Sequence, residues 1–230
     1  MRYERKYLFK RIDLKLLLSD LLNICDGINE YIVSSIYFDN IHETSYTQKI
    51  DGNMDKIKIR ARYYNQNFNR VNLEAKIKRS DKSYKLKTKL NKKELDLLMS
   101  SNTIDLSSRK EGDDIGKIYY YLKYYGMQKK TCVLYSRIEM SLKSATKTRL
   151  TIDKDVYSSI PIGKQNYELN RLPALNRDLC ILEIKSANNS VDSYMKFLLE
   201  KYSMKKEAIS KYSLSVQAQK TFMGENCGFI

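Results

Sequence analysis

A period-two alternation of charged and apolar residues constrains this chain more than any other feature, because successive side chains of a strand point to opposite faces. Met54 to Tyr64 sets Lys56, Lys58, Arg60 and Arg62 against Ile57, Ile59, Ala61 and Tyr63. Arg70 to Lys78 opposes Arg70, Asn72, Glu74, Lys76 and Lys78 to Val71, Leu73, Ala75 and Ile77, and Ser83 to Lys89 collects Lys85, Lys87 and Lys89. The same reading aligns Arg2, Glu4 and Lys6, then Tyr135, Arg137 and Glu139, and then Lys147, Arg149, Thr151, Asp153 and Asp155. In Cys180 to Lys185, Glu183 and Lys185 oppose Leu182 and Ile184. Nearly every expected strand therefore carries one cationic face with occasional carboxylates.

Two sheets satisfy that pattern. An open antiparallel sheet packs its apolar face on helices and leaves its charged face in water, the commoner outcome of such alternation. A closed sheet turns the charged faces inward to a polar lumen. Like charges on adjacent strands repel and need an anion between them, which speaks for closure.

Apolar residues at helical spacing predict covering helices over Asp13 to Ile28, Asn91 to Met99, Asp113 to Tyr125, Val191 to Tyr202 and Lys205 to Thr221. Asn91 with Glu94 three residues later reads as a capping box. Tyr119, Tyr120, Tyr121, Tyr124 and Tyr125 fall in one such stretch and are expected to pack rather than to stack on bases. With two prolines, eight glycines and no Ser/Gly/Pro-rich linker, nothing marks an internal boundary, so a single domain over 1–230 is expected.

Lys and Arg number 42 against 27 Asp and Glu, a net charge of +15 that calls for a polyanionic partner. No apolar run is long enough for a membrane span or secretory signal, so the chain reads as cytoplasmic. Cys25, Cys132, Cys180 and Cys227 form no CxxC pair, and His42 is the lone histidine. A zinc site and a His-dependent nucleophile are both disfavoured, and the cysteines read as reduced, mostly buried thiols.

The opening Arg2-Tyr-Glu-Arg-Lys-Tyr7, Ser35-Ile-Tyr-Phe-Asp-Asn40, Arg60-x-Arg62 followed by Tyr63, and Leu73-Glu-Ala-Lys76 come in an ordered series. Tyr135-x-Arg137, Arg149-x-x-x-Asp153, Leu182-Glu-Ile-Lys185 and Ser210-Lys-Tyr212 continue it. The set resembles VTC domains, within the wider triphosphate tunnel metalloenzymes, over about Arg2 to Tyr212. That resemblance implies an α+β fold: an eight-stranded antiparallel β-barrel tunnel with a polar cationic lumen, flanked by amphipathic helices. It implies transfer of the terminal phosphoryl of ATP to polyphosphate, with Mn²⁺ or Mg²⁺ as cofactor. It puts phosphate-binding positions at Lys6, Arg60, Arg62, Lys76, Lys85, Arg137, Arg149 and Lys211, with Lys6, Arg60, Arg62, Lys76, Arg137 and Arg149 in the catalytic set. Glu183 takes the metal position, and Glu4 and Glu74 are further metal candidates or carboxylates that orient the cations.

The chemistry agrees with such a set, since phosphoryl transfer depends on positioning and on charge neutralisation, and needs no histidine base. The hydrolytic branch opens Glu-x-Glu-x-Lys, whereas Arg2 stands here in place of the first Glu. That departure leans toward polymerisation over hydrolysis, with a triphosphatase and a non-catalytic polyanion-binding module as the other readings. The expected partners are ATP, triphosphate and polyphosphate, with no specific nucleic acid. Fungal relatives carry membrane-spanning and phosphate-sensing domains, so coupling to transport here would call for a separate membrane partner.

Overall fold

The computed structural model describes residues 3–80, 82–107, 109–110, 112–143, 148–160 and 171–224. Arg2, Lys147 and Cys227, named above, lie outside them. The strands are β1 (Tyr3–Lys10), β2 (Cys25–Asp39), β3 (Lys56–Tyr64), β4 (Val71–Arg79), β5 (Lys82–Leu90), β6 (Gln128–Leu142), β7 (Arg149–Ser159), β8 (Leu172–Pro173), β9 (Leu179–Ser186) and β10 (Lys205–Lys206). The helices are α1 (Leu14–Leu22), α2 (Thr44–Ile50), α3 (Lys92–Ser101), α4 (Asp114–Tyr124), α5 (Ser193–Lys201) and α6 (Lys211–Phe222).

The chain resolves into two compact units. The first comprises residues 1–32, 135–156 and 175–210, and the second residues 33–134, 157–174 and 211–230. Each has its own core. In the first, Leu17 and Leu21 of α1 and Met195 and Leu198 of α5 pack with Ile138, Met140, Leu150, Ile152, Leu182 and Ile184. In the second, Leu95, Leu98 and Met99 of α3 and Ile115, Ile118 and Leu122 of α4 pack with the apolar faces of β3 and β4. Burial of one sheet face under helices is what the alternation demanded: Ile57, Ile59, Ala61 and Tyr63 are buried, while Lys56, Lys58, Arg60 and Arg62 are partly exposed.

Several local expectations hold. Asn91 accepts from the Glu94 amide at 3.0 Å and Glu94 accepts from the Asn91 amide at 2.8 Å, closing the capping box. Asp113 caps α4 through the Ile115 amide at 3.0 Å. Cys25, Cys132 and Cys180 are free and buried, and burial pushes the Cys25 and Cys180 thiols up to about 11.

Others need correction. The expected helix over 13–28 ends at Leu22, and β2 begins at Cys25. Asn23, Asp26 and Gly27 are poor helix formers, and Gly27 adopts φ 64°, outside the helical region. The expected helix from Lys205 starts at Lys211, because Lys205 and Lys206 instead pair with Leu8 and Tyr7 of β1. Helix α2 had no periodicity to announce it. Its first turn rests on Asp39, whose carboxylate accepts the amides of Ser45 and Tyr46 at 2.9 and 3.1 Å.

The closed barrel is also corrected. The hydrogen-bonded order is β10-β1-β9-β7-β6-β2-β3-β4-β5, with β8 on β7, and among the described residues this path does not return on itself. Every strand pair with a recorded register is antiparallel. Closure needs the two outermost strands to pair. On β5, however, the Lys87 amide donates to Asp114 at 2.9 Å and the Lys89 carbonyl accepts from Arg109 at 3.0 Å. Side chains thus occupy part of the edge that another strand would use.

Candidate functional site

In the second unit, strand register turns the polar face of β3, β4 and β5 into rows. Lys58 stands opposite Lys76, and Lys76 opposite Lys85. The next row runs Tyr37, Arg60, Glu74, Lys87, and the one beyond it Ser35, Arg62, Asn72, Lys89. Glu74 is the one carboxylate within these three strands. Like charges placed directly across a sheet repel, so these rows concentrate positive charge on one face.

Glu74 organises the two arginines. Arg60 Nε donates to its Oε2 at 2.8 Å, and Arg62 Nη1 stands 3.8 Å from the same oxygen. Arg60 Nη1 also donates to the Tyr37 hydroxyl at 3.0 Å, and Arg62 Nε to Ser35 Oγ at 3.4 Å. Burial would raise the Glu74 carboxyl, but the charges of Arg60 and Arg62 hold it below its usual value. Burial likewise opposes ionisation of Tyr37, yet Arg60, Arg62 and Lys58 bring its phenol down to about 8. Lys76 and Lys85 are exposed. Lys211 opens α6 one residue before Tyr212, whose ring lies 5.1 Å from that of Tyr37 and whose hydroxyl reaches Asp39 at 2.5 Å.

The first unit is built differently, with cations and carboxylates interleaved. Lys6 pairs across β1 and β9 with Glu183, which lies opposite Thr151, while Glu4 pairs with Lys185, which lies opposite Arg149. Arg137 is buried and bidentate to Asp153, Nε to Oδ1 at 2.6 Å and Nη2 to Oδ2 at 2.8 Å. Its Nη2 is also 3.8 Å from Glu183, whose Oε1 is 2.6 Å from Lys185 Nζ. Burial alone would lower the Arg137 guanidinium, but Asp153 and Glu183 hold it well above its ordinary value. Arg149 reaches Glu139 at 2.5 Å, and Lys6 Nζ reaches Glu4 at 3.2 Å and the Ile209 carbonyl at 3.1 Å.

The predicted residues therefore fall into two sets. Arg60, Arg62, Lys76, Lys85 and Glu74 share one face in the second unit, with Lys211 placed through Tyr212. Lys6, Arg137, Arg149, Glu4 and Glu183 share strands of the first. No cluster of three or more His, Cys, Asp or Glu suited to a metal occurs among the described residues. Glu74 stands with Arg60 and Arg62, and Glu4 with Lys6. Tyr37, Ser35, Asp153 and Lys185 were not assigned roles from sequence. All four lie inside the motifs quoted above, but only the register shows what they hold.

A family model described as the VTC domain matches residues 1–220. The chain belongs to the VTC domain family. Among solved structures, this VTC domain is similar to a candidate adenylate cyclase from Bacillus halodurans, at 17% identity and TM-score 0.54, with 91% of this chain and 94% of that one covered. It is also similar to a candidate adenylyl cyclase from Hippeastrum described as having a dominant triphosphatase activity, at 13% identity and TM-score 0.53, with 94% and 96% covered. At these identities the likeness is one of fold. No curated protein matches this chain significantly. No helix among its described residues is long and apolar enough to cross a membrane.

Proposed function

We propose that this VTC domain binds ATP, triphosphate and polyphosphate, and transfers the terminal phosphoryl group of ATP to a polyphosphate chain. The Lys58, Lys76, Lys85 row carries the reading, flanked as it is by Arg60 and Arg62. A repeating polyanion matches rows of cations spaced along a sheet, and a single carboxylate there leaves the face strongly positive. Arginine forks grip phosphate oxygens in pairs, while lysines act as point charges.

In the reaction, a terminal oxygen of the acceptor chain forms a bond to the γ-phosphorus. The bridging bond between the β- and γ-phosphates breaks, and ADP leaves. The attacking oxygen is already anionic, so the protein's task is to hold the two chains in line and to neutralise them. Arg60 and Arg62, pre-set by Glu74, and Lys76, Lys85 and Lys211 serve phosphate binding in the second unit. Lys6, Arg137 and Arg149 serve it in the first.

A divalent cation is implied, and the fit is partial. No group of three or more carboxylates forms an all-protein cage among the described residues. Glu183 offers hard oxygens of the kind Mg²⁺ or Mn²⁺ uses when one carboxylate is completed by water and phosphate oxygens. Such an ion would add positive charge to the bound phosphates.

Arg2, where the hydrolytic branch carries glutamate, favours transfer over hydrolysis. The Hippeastrum relative's described triphosphatase activity makes free phosphate the competing product. Incubating the protein with ATP and Mn²⁺ and resolving the products on a gel separates the readings. A ladder of long chains is the expected result. Phosphate without chains would mean a hydrolase, and binding without turnover a polyanion-binding module. Glu183→Gln, with its fold checked by thermal unfolding, should lose metal-dependent turnover, and an unaltered metal response would remove Glu183 from the role.

A further inference from the structure

We infer that a cavity between α4 and the apolar face of β4 and β5 is a second ligand site, taking a planar aromatic molecule with an anionic group. The cavity measures about 510 Å³, within the roughly 300–1,000 Å³ of small-molecule sites. Its floor is Ile77 and Leu86, on the opposite sheet face from Lys76 and Lys85. It is therefore separate from the cationic rows, and its reality does not depend on the phosphoryl-transfer reading.

Three tyrosines form the walls, Tyr84, Tyr120 and Tyr121. Tyr84 is 51% exposed and Tyr120 58%, a large uncovered aromatic surface on a chain otherwise rich in surface charge. Both helical tyrosines are held in place by neighbours. Tyr120 stacks on Tyr124 with centroids 5.5 Å apart, and Tyr121 on Tyr125 at 6.2 Å and 11°. Rings presented in this way suit offset or edge-on packing against a planar aromatic ligand.

Gly116, in the first turn of α4, lines the same space. A Cβ there would meet nothing within 4 Å, and its φ is not in the left-handed region, so neither crowding nor backbone strain requires glycine. Glycine weakens a helix relative to alanine. Here its consequence is an open cavity.

The charge of the ligand follows from the mouth. Arg79 and Lys117 border it. Arg79 already serves Asp55 at 3.3 Å and the Tyr125 hydroxyl at 2.9 Å, whereas Lys117 makes no ion pair among the described residues. An aromatic ring against the tyrosines would place a sulfonate, carboxylate or phosphate substituent beside Lys117.

The test uses a matched pair of fluorescent probes, 8-anilinonaphthalene-1-sulfonate and its uncharged parent N-phenyl-1-naphthylamine, with the whole chain. The sulfonate should saturate at one per chain. The uncharged parent should bind roughly two- to five-fold more weakly, the worth of one exposed charge contact. Gly116→Leu, whose side chain fills the cavity, should abolish the signal while thermal unfolding remains cooperative. Lys117→Gln should weaken the sulfonate and leave the uncharged probe alone, and saturating tripolyphosphate should displace neither. Undiminished binding to a folded Gly116→Leu variant would overturn the site, as would displacement by tripolyphosphate. Equal affinity for the two probes would overturn the assignment of an anionic ligand.

Discussion

Arg60 and Glu74 face each other across β3 and β4, joined by a hydrogen bond from Nε at 2.8 Å and a second approach from Nη2 at 2.7 Å. With Arg62 3.8 Å from the same oxygen, one carboxylate holds two guanidiniums at a fixed spacing. Replacing Glu74 by Gln should cost about 1.5–3 kcal/mol, the range for a hydrogen bond to a charged group. Because the folded-state carboxyl lies below its unfolded value, its contribution is full above the ordinary carboxylate range and is lost as pH falls through the folded value. The stability gap between parent and Glu74→Gln should therefore narrow on acidification in urea titrations. A gap constant from pH 7 to pH 3 would contradict the pairing.

Truncating either arginine tests the cationic face directly. Arg60→Ala and Arg62→Ala should each weaken tripolyphosphate binding about 10-fold or more, since a charge-assisted bond is worth roughly 1.5–3 kcal/mol. Ile59→Ala, one residue away on the buried face, should behave oppositely. It should cost about 2–5 kcal/mol of stability and leave affinity in the remaining folded protein intact. Calorimetric titration together with thermal unfolding reads both, and arginine variants that bind like the parent would remove the face from the site.

Tyr37 should ionise well before an ordinary tyrosine, with a midpoint near 8. A phenol whose folded value is lowered adds stability as pH rises from that value toward 10, and the gain is absent below it. The ultraviolet difference spectrum between parent and Tyr37→Phe should show one phenolate appearing near pH 8. Bound tripolyphosphate, which competes for the same positive field, should move that midpoint upward. A midpoint near 10 would mean that Arg60 and Arg62 do not act on the ring.

Asp153 is fully buried and doubly bonded to Arg137. Asp153→Ala should be among the most damaging single changes in the chain, about 3–5 kcal/mol, because it removes the bidentate partner of a buried guanidinium and leaves Glu183 no closer than 3.8 Å. Arg137→Met with Asp153→Leu, which removes both charges at similar volume, should recover most of that loss while phosphate-dependent function stays impaired. Chemical denaturation of the single and double variants measures the difference.

The alternation of Lys56 to Tyr63 was sufficient to say which side chains meet helices and which meet water, since a strand's period admits only two faces. Asn91 and Glu94 announced α3, because a capping box is local chemistry. Family membership was legible too, through the order of short motifs. Other features depend on residues far apart in sequence. Register between β3, β4 and β5 made a row of Lys58, Lys76 and Lys85 and put Glu74 between Arg60 and Arg62. Helix α2 depends on the Asp39 carboxylate reaching its first turn, and the start of α6 on the competition of Lys205 and Lys206 for β1. Whether the sheet closes was open in the pattern, because inward and outward charged faces read alike. Asp114 and Arg109 bear on it by occupying backbone groups along the edge of β5. Periodicity sets the facing of a side chain, but only pairing between distant strands sets its neighbours, and a binding site is made of neighbours.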